Sequence, residues 1–180
     1  MRRRPTLETE RLILRPPCER DFTAFAAMMG DAEHVKFIGG RQPPSLAWRS
    51  LASMVGSWAM RGYGMFAVLE KDTGRWVGQT GPWKPHDWPG NEIGWALAPG
   101  AAGKGYAVEA ASAAMDWAFD HLGWTEVIHC INPHNTASIR VAERLGSVRL
   151  GRVQCPAPYD KVESIAWGQT RDAWQGRKAA

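Results

Sequence analysis

The stretch Pro99-Gly100-Ala101-Ala102-Gly103-Lys104-Gly105-Tyr106-Ala107-Val108-Glu109-Ala110 sets three glycines and a lysine directly before an alanine-rich run. Glycine at this density marks backbone that turns sharply or lets another group come close, and the run after it predicts a helix over Tyr106 to Leu122. The polar residues of that run, Glu109, Ser112, Asp116 and Asp120, form one narrow stripe. A helix with so little polar surface is expected to lie covered, as on a sheet. Gly123 is its stop signal.

Strand-like segments flank this helix on both sides. Upstream, Met65 to Glu70, Trp76 to Gly81 and Glu92 to Ala98 are separated by Asp72-Thr73-Gly74 and by the loop Pro82 to Gly90, which predicts an antiparallel meander. Downstream, Thr125 to Ile131 is rich in β-branched residues, and strand, helix, strand in that order implies a right-handed parallel crossover. Asn135 opens a short helix, Thr136 to Leu145, stopped by Gly146. Val148 to Val153 and Val162 to Thr170 close the sheet. Near the amino terminus, Arg11 to Arg15 reads as a strand ended by Pro16-Pro17. Helical spacing follows over Cys18 to Met29 and over Ser45 to Met60, with Gly62 as the second helix's stop.

The expected fold is therefore mixed α/β: a mostly antiparallel sheet of six to seven strands flanked by helices. With 180 residues, 44% of them hydrophobic, the chain suits one domain with a sizeable core. Residues 1–5 and 176–180 are expected to lie outside ordered structure. The net charge of +4 is scattered rather than gathered in a stripe, which gives no support to nucleic-acid binding. No apolar run is long enough to span a bilayer, and no metal partner is expected. Cys18, Cys130 and Cys155 are odd in number and lack metal-ligand spacing, so the expected compartment is the reducing cytoplasm.

Three phosphate-binding readings compete for the glycine loop. A P-loop places Gly103-Lys104 correctly but needs a glycine at Ala98 and a hydroxyl at Gly105, so its magnesium ligand is missing. A dinucleotide fingerprint finds Val108 where its third glycine belongs. The third is the acyl-CoA pyrophosphate loop, V-x-P-x-x-R/Q-G-x-G-x-G/A between strand and helix, read here from Leu97 to Ala107. On that loop, on "GKGYAVEAASAAMDWAF", "NTASIRVAERLG" and "TERLILRP", the chain resembles the GNAT N-acetyltransferases, in particular the RimJ/RimL-like branch that acetylates ribosomal-protein N-termini. Ala102 departs from the pattern, which usually has Arg, Gln or Trp there.

The resemblance implies acetyl-CoA as donor, held in the gap of a splayed parallel strand pair. Leu97 and Ala98 would offer backbone groups to its pantetheine arm. The amides of Gly103, Lys104, Gly105, Tyr106 and Ala107 would cradle its diphosphate at a helix start, where unpaired N–H groups and partial positive charge converge. Asn135 matches the family asparagine that contacts the cofactor, with Ser138 after it; Asn135 is equally a favoured N-cap, and the two roles coexist. Glu92 is the candidate base. His129 and His134 rank below it as lone histidines. Ala142 stands where the wider family often has a tyrosine acid. No activated Ser or Cys with a base beside it is apparent, so the acceptor amine is expected to attack directly.

Trp83 and Trp88 sit in a loop placed to line the acceptor site or simply to pack. The acceptor is either a protein N-terminal α-amine or a small-molecule amine such as a polyamine, amino acid or aminoglycoside. A silent CoA-binding module and a protein-interaction domain also stay open. The resemblance allows a homodimer.

Overall fold

A computed structural model describes residues 5–179. Its strands are β1 (Leu7–Glu8), β2 (Leu12–Arg15), β3 (Phe66–Glu70), β4 (Trp76–Trp83), β5 (Glu92–Leu97), β6 (Glu126–Ile131), β7 (Val148–Val153) and β8 (Ser164–Thr170). They form one sheet in the order β1-β2-β3-β4-β5-β6-β8-β7. The helices are α1 (Phe22–Gly30), α2 (Pro44–Arg61), α3 (Tyr106–His121), α4 (Thr136–Leu145) and α5 (Arg171–Ala179), with a short 3₁₀ turn at Glu19–Asp21 before α1.

The eighth strand beyond the expected six to seven is β1, whose two residues are too few to show an alternating pattern. The second correction concerns the carboxy terminus. α5 carries Arg171–Ala179 through the stretch expected to lack order, because Trp174 is buried against α3 and its indole N–H donates to Asp116 at 2.7 Å. Short helices owe their stability to such packing rather than to their own sequence. The expectations for residues 1–4 and 180 lie outside the described residues.

β3, β4 and β5 form the antiparallel meander, and α3 crosses over to bring β6 parallel to β5. α3 buries its apolar faces in two clusters, one with Leu12, Phe66 and Trp117, the other with Ile93, Phe119 and Val127. α1 and α2 pack with Trp76 and Ala96 from the opposite face of the sheet. Side chains alternate along a strand, so Ile93 points to the α3 side, and Glu92, Gly94 and Ala96 point to the α1/α2 side. Among the described residues no helix is long and apolar enough to cross a membrane.

The parallel pair is short. β5 and β6 meet in register only at Glu92 opposite Ile128, where the Ile128 N–H donates to the Asn91 carbonyl at 2.8 Å. Beyond that point the strands splay, and side chains take over the bonds that pairing would have made. The His129 Nδ1–H donates to the Ile93 carbonyl at 2.7 Å, and the Cys130 N–H donates to Glu92 Oε1 at 3.0 Å. Both strands run the same way, so the gap opens at their carboxyl ends, where α3 and α4 begin.

Candidate active site

At one end of the gap lies the glycine loop. Gly103 and Gly105 have φ of 78° and 83°, left-handed values that explain glycine at both positions. No side chain caps α3, and its first internal bond runs from the Glu109 N–H to the Gly105 carbonyl. The amides of Tyr106, Ala107 and Val108 therefore lie outside the intrahelical ladder, with exposed, side-chain-free backbone beside them. Arg11 braces the loop from behind: its Nη1 donates to the Lys104 carbonyl at 2.9 Å, and its guanidinium pairs with Glu109 at 2.6 Å. The Lys104 ammonium lies 3.7 Å from Glu70. The Glu70 carboxyl is held down at about 2, chiefly by Arg75 and Thr73.

The backbone facing the gap follows from strand alternation. The Ala98 N–H donates to the Val77 carbonyl at 2.8 Å, so Ala98, Ala96 and Gly94 turn their backbone groups toward β4. The alternate residues Ile93, Trp95 and Leu97 turn theirs toward the gap. Sequence reading gave Ala98 a share in binding the donor, but its N–H belongs to β4 and its carbonyl accepts from Ala101. The Leu97 carbonyl accepts from His34 Nε2, a partner on the α1–α2 connection that no sequence signal marked. The N–H groups of Trp95 and Leu97 have no partner among the described residues.

A cleft of about 460 Å³ opens on the α1/α2 side of the splay. Glu92, Asn135 and Ser138 line it together, whereas residues 97–107 lie beyond it at the end of β5. The carboxylate of Glu92 is buried, with Oε1 on the Cys130 amide and Oε2 accepting from the Trp88 indole. Burial pushes its pKa up to about 7, against the two hydrogen bonds, which favour the anion. His129 is also buried, its ring accepting from Ser147 at Nε2, and burial drives its pKa down to about 4, so it is a neutral strut. His134 is exposed and outside the cleft. Asn135 Oδ1 caps α4 by accepting from the Ser138 N–H at 3.1 Å, leaving its Nδ2 without a partner among the described residues.

The family profile described as acetyltransferase (GNAT) domain matches residues 11–148. The chain belongs to the GNAT acetyltransferases. It is 33% identical to the uncharacterized protein YkkB of Bacillus subtilis over 154 residues, 81% of this chain and 87% of that one. An acetyltransferase from Agrobacterium tumefaciens superposes with a TM-score of 0.82 at 33% identity, covering 93% of this chain and 95% of the other. The RimJ protein of Mycobacterium smegmatis, solved with CoA-disulfide, shares the fold at 20% identity and a TM-score of 0.72, covering 98% and 93%. This chain is thus an acetyl-CoA-dependent N-acetyltransferase, with acetyl-CoA as the donor.

The acetyltransferase has site features that its sequence concealed. Trp83 and Trp88 both line the cleft, and Trp88 does more than pack, since it bonds Glu92 and meets Tyr159 edge-on at 5.8 Å. Cys130 and Cys155 share the cleft. Each thiol shifts the other, Cys130 upward and Cys155 downward. Their 25-residue separation offers no motif, and only the fold joins them.

Proposed function

We propose that this acetyltransferase transfers the acetyl group of acetyl-CoA to a protein N-terminal α-amine by direct attack in a ternary complex, with Glu92 as the base. The reading is carried by the buried Glu92 carboxylate at the root of the splay, lining the cleft with a pKa near 7. A base works best when its pKa lies near the working pH. An α-amine, with an ordinary pKa of about 7.7 to 8, is matched to such a base, whereas a lysine amine at about 10.4 is neutral roughly once in a thousand at pH 7.

The donor's diphosphate fits the amides from Gly103 to Ala107, where helix-start N–H groups and partial positive charge favour an anion. Its pantetheine arm takes the gap-facing backbone of Trp95 and Leu97, with Asn135 Nδ2 and Ser138 on the opposite side. The Trp95 or Leu97 N–H stabilises charge developing on the thioester oxygen as the amine attacks. Glu92 takes the amine's proton, and the thiolate of CoA leaves. Ala142 is buried and cannot supply an acid, so water protonates the thiolate.

Intact-mass analysis of peptides after incubation with acetyl-CoA tests the reaction, and Glu92→Gln tests the base. Acetyl transfer to α-amines that collapses in the variant while CoA affinity persists is the expected result. Transfer only to lysine side chains, or full activity of Glu92→Gln across pH, would overturn the assignment.

A further inference from the structure

The walls of the cleft carry a second message about the acceptor. Glu92 is the one carboxylate among the described residues that line it, and the neutral His129 adds no charge. Arg49, exposed on α2 at the edge, is a permanent cation with no ion-pair partner among the described residues. Three wall hydroxyls are engaged within the protein: Ser50 donates to Gln42, Ser53 to the Ser50 carbonyl and Ser164 to the Val162 carbonyl. Phe37, Trp83, Trp88 and Tyr159 supply broad apolar surface.

From this distribution we infer that the acceptor carries a single primary ammonium on an apolar body able to hold an aromatic ring; for a protein N-terminus, this means an apolar first side chain. The inference rests on Glu92 being the base of the proposed reaction. An acceptor with several ammonium groups can place one against Glu92. Its remaining charges would lose hydration among aromatic rings and face Arg49, and attraction to ring faces does not replace the water lost. A hydroxyl-rich sugar amine would set much of its polar surface against the aromatic and aliphatic parts of the wall, where it would stay unpaired. A phenyl or aliphatic side chain instead exchanges apolar surface with the wall, and discrimination by such pockets runs to about tenfold or more.

The test is a kcat/KM comparison with acetyl-CoA at pH 7.5. One arm holds peptides beginning with Phe, Leu, Lys or Glu, and another holds 2-phenylethylamine, spermidine and kanamycin. Phe- and Leu-initiated peptides, or 2-phenylethylamine, are expected to exceed the polycations and the Lys- and Glu-initiated peptides by at least about tenfold. The arm that leads identifies the source, peptide or small amine. Polycations that match or exceed the apolar amines would overturn the inference while leaving acetyl transfer through Glu92 intact. No transfer to any amine, with CoA still bound in calorimetry, would overturn both.

Gln79→Glu and Ser53→Glu each add a second carboxylate to the cleft wall away from the base. At least one should raise spermidine turnover relative to 2-phenylethylamine. If both fold, as judged by circular dichroism, and neither shifts that ratio, charge does not set the preference and the inference falls.

Discussion

The carboxylate of Glu92 accepts the backbone N–H of Cys130 at 3.0 Å, across a gap where a neighbouring strand would otherwise bond that amide. One side chain thus helps hold the splay open and presents a carboxylate to the cleft. Removing its charge should affect chemistry and fold differently.

For the chemistry, Glu92→Gln keeps an acceptor oxygen for Cys130 but cannot take a proton. We expect kcat/KM to fall by about 10²- to 10⁴-fold, the usual worth of a positioned base, with CoA affinity in calorimetry unchanged. Wild-type activity should rise with pH through about 7, the pKa of Glu92, and that limb should vanish in the variant. A variant that keeps the limb would assign it to another group.

For the fold, the two buried titratable groups of the splay act in opposite directions. Glu92 titrates near 7 in place of 4.5, so between those values the folded state holds the extra proton and stability falls as pH rises. His129 titrates near 4 in place of 6.5, so the unfolded chain holds the extra proton there and stability falls as pH drops. The slopes oppose one another between 4.5 and 6.5. Urea unfolding should show Glu92→Gln gaining about 3 kcal/mol over the wild type as pH rises from 4.5 to 7. Parallel pH profiles for the two proteins would refute this balance.

Gly105→Val should weaken CoA binding. The φ of 83° costs a β-branched residue about 1–2 kcal/mol, and its Cβ would lie 3.3 Å from Arg11 Nη2, pressing on the brace behind the loop. A Kd for CoA raised roughly tenfold, with an unchanged circular dichroism spectrum, is the expected outcome. Unaltered affinity would remove the loop from the donor site.

Cys155 tests the order of events. Its thiol, shifted down by Cys130 and lining the cleft, is the side chain best suited to carry the acetyl group covalently. Direct attack predicts that Cys155→Ser keeps kcat within about threefold of the wild type, on the scale where a lost catalytic nucleophile costs orders of magnitude. It also predicts that mass spectrometry after acetyl-CoA alone finds no acetyl adduct on Cys155. An adduct that an amine then discharges would replace direct attack with a two-step transfer.

Trp174→Ala should release α5. The indole is buried against α3 and bonded to Asp116, so its truncation is expected to lower stability by about 3 kcal/mol. Hydrogen exchange over residues 171–179 should quicken, while CoA affinity holds.

Neighbouring residues alone determined much of this protein. The glycine loop before α3, Asn135 at the start of α4, Gly62 and Gly146 as left-handed helix stops and the parallel crossover all follow from spacing and turn chemistry, whose causes act over a few positions. Only the folded molecule decided what those elements do together. The pKa of Glu92 depends on burial beneath Trp88 and beside Cys130, the latter 38 positions away; His129 becomes a strut by reaching Ile93; His34 covers Leu97; and α5 forms because Trp174 finds α3. Desolvation and tertiary hydrogen bonds act between segments distant in the chain, so no local pattern carries their sign.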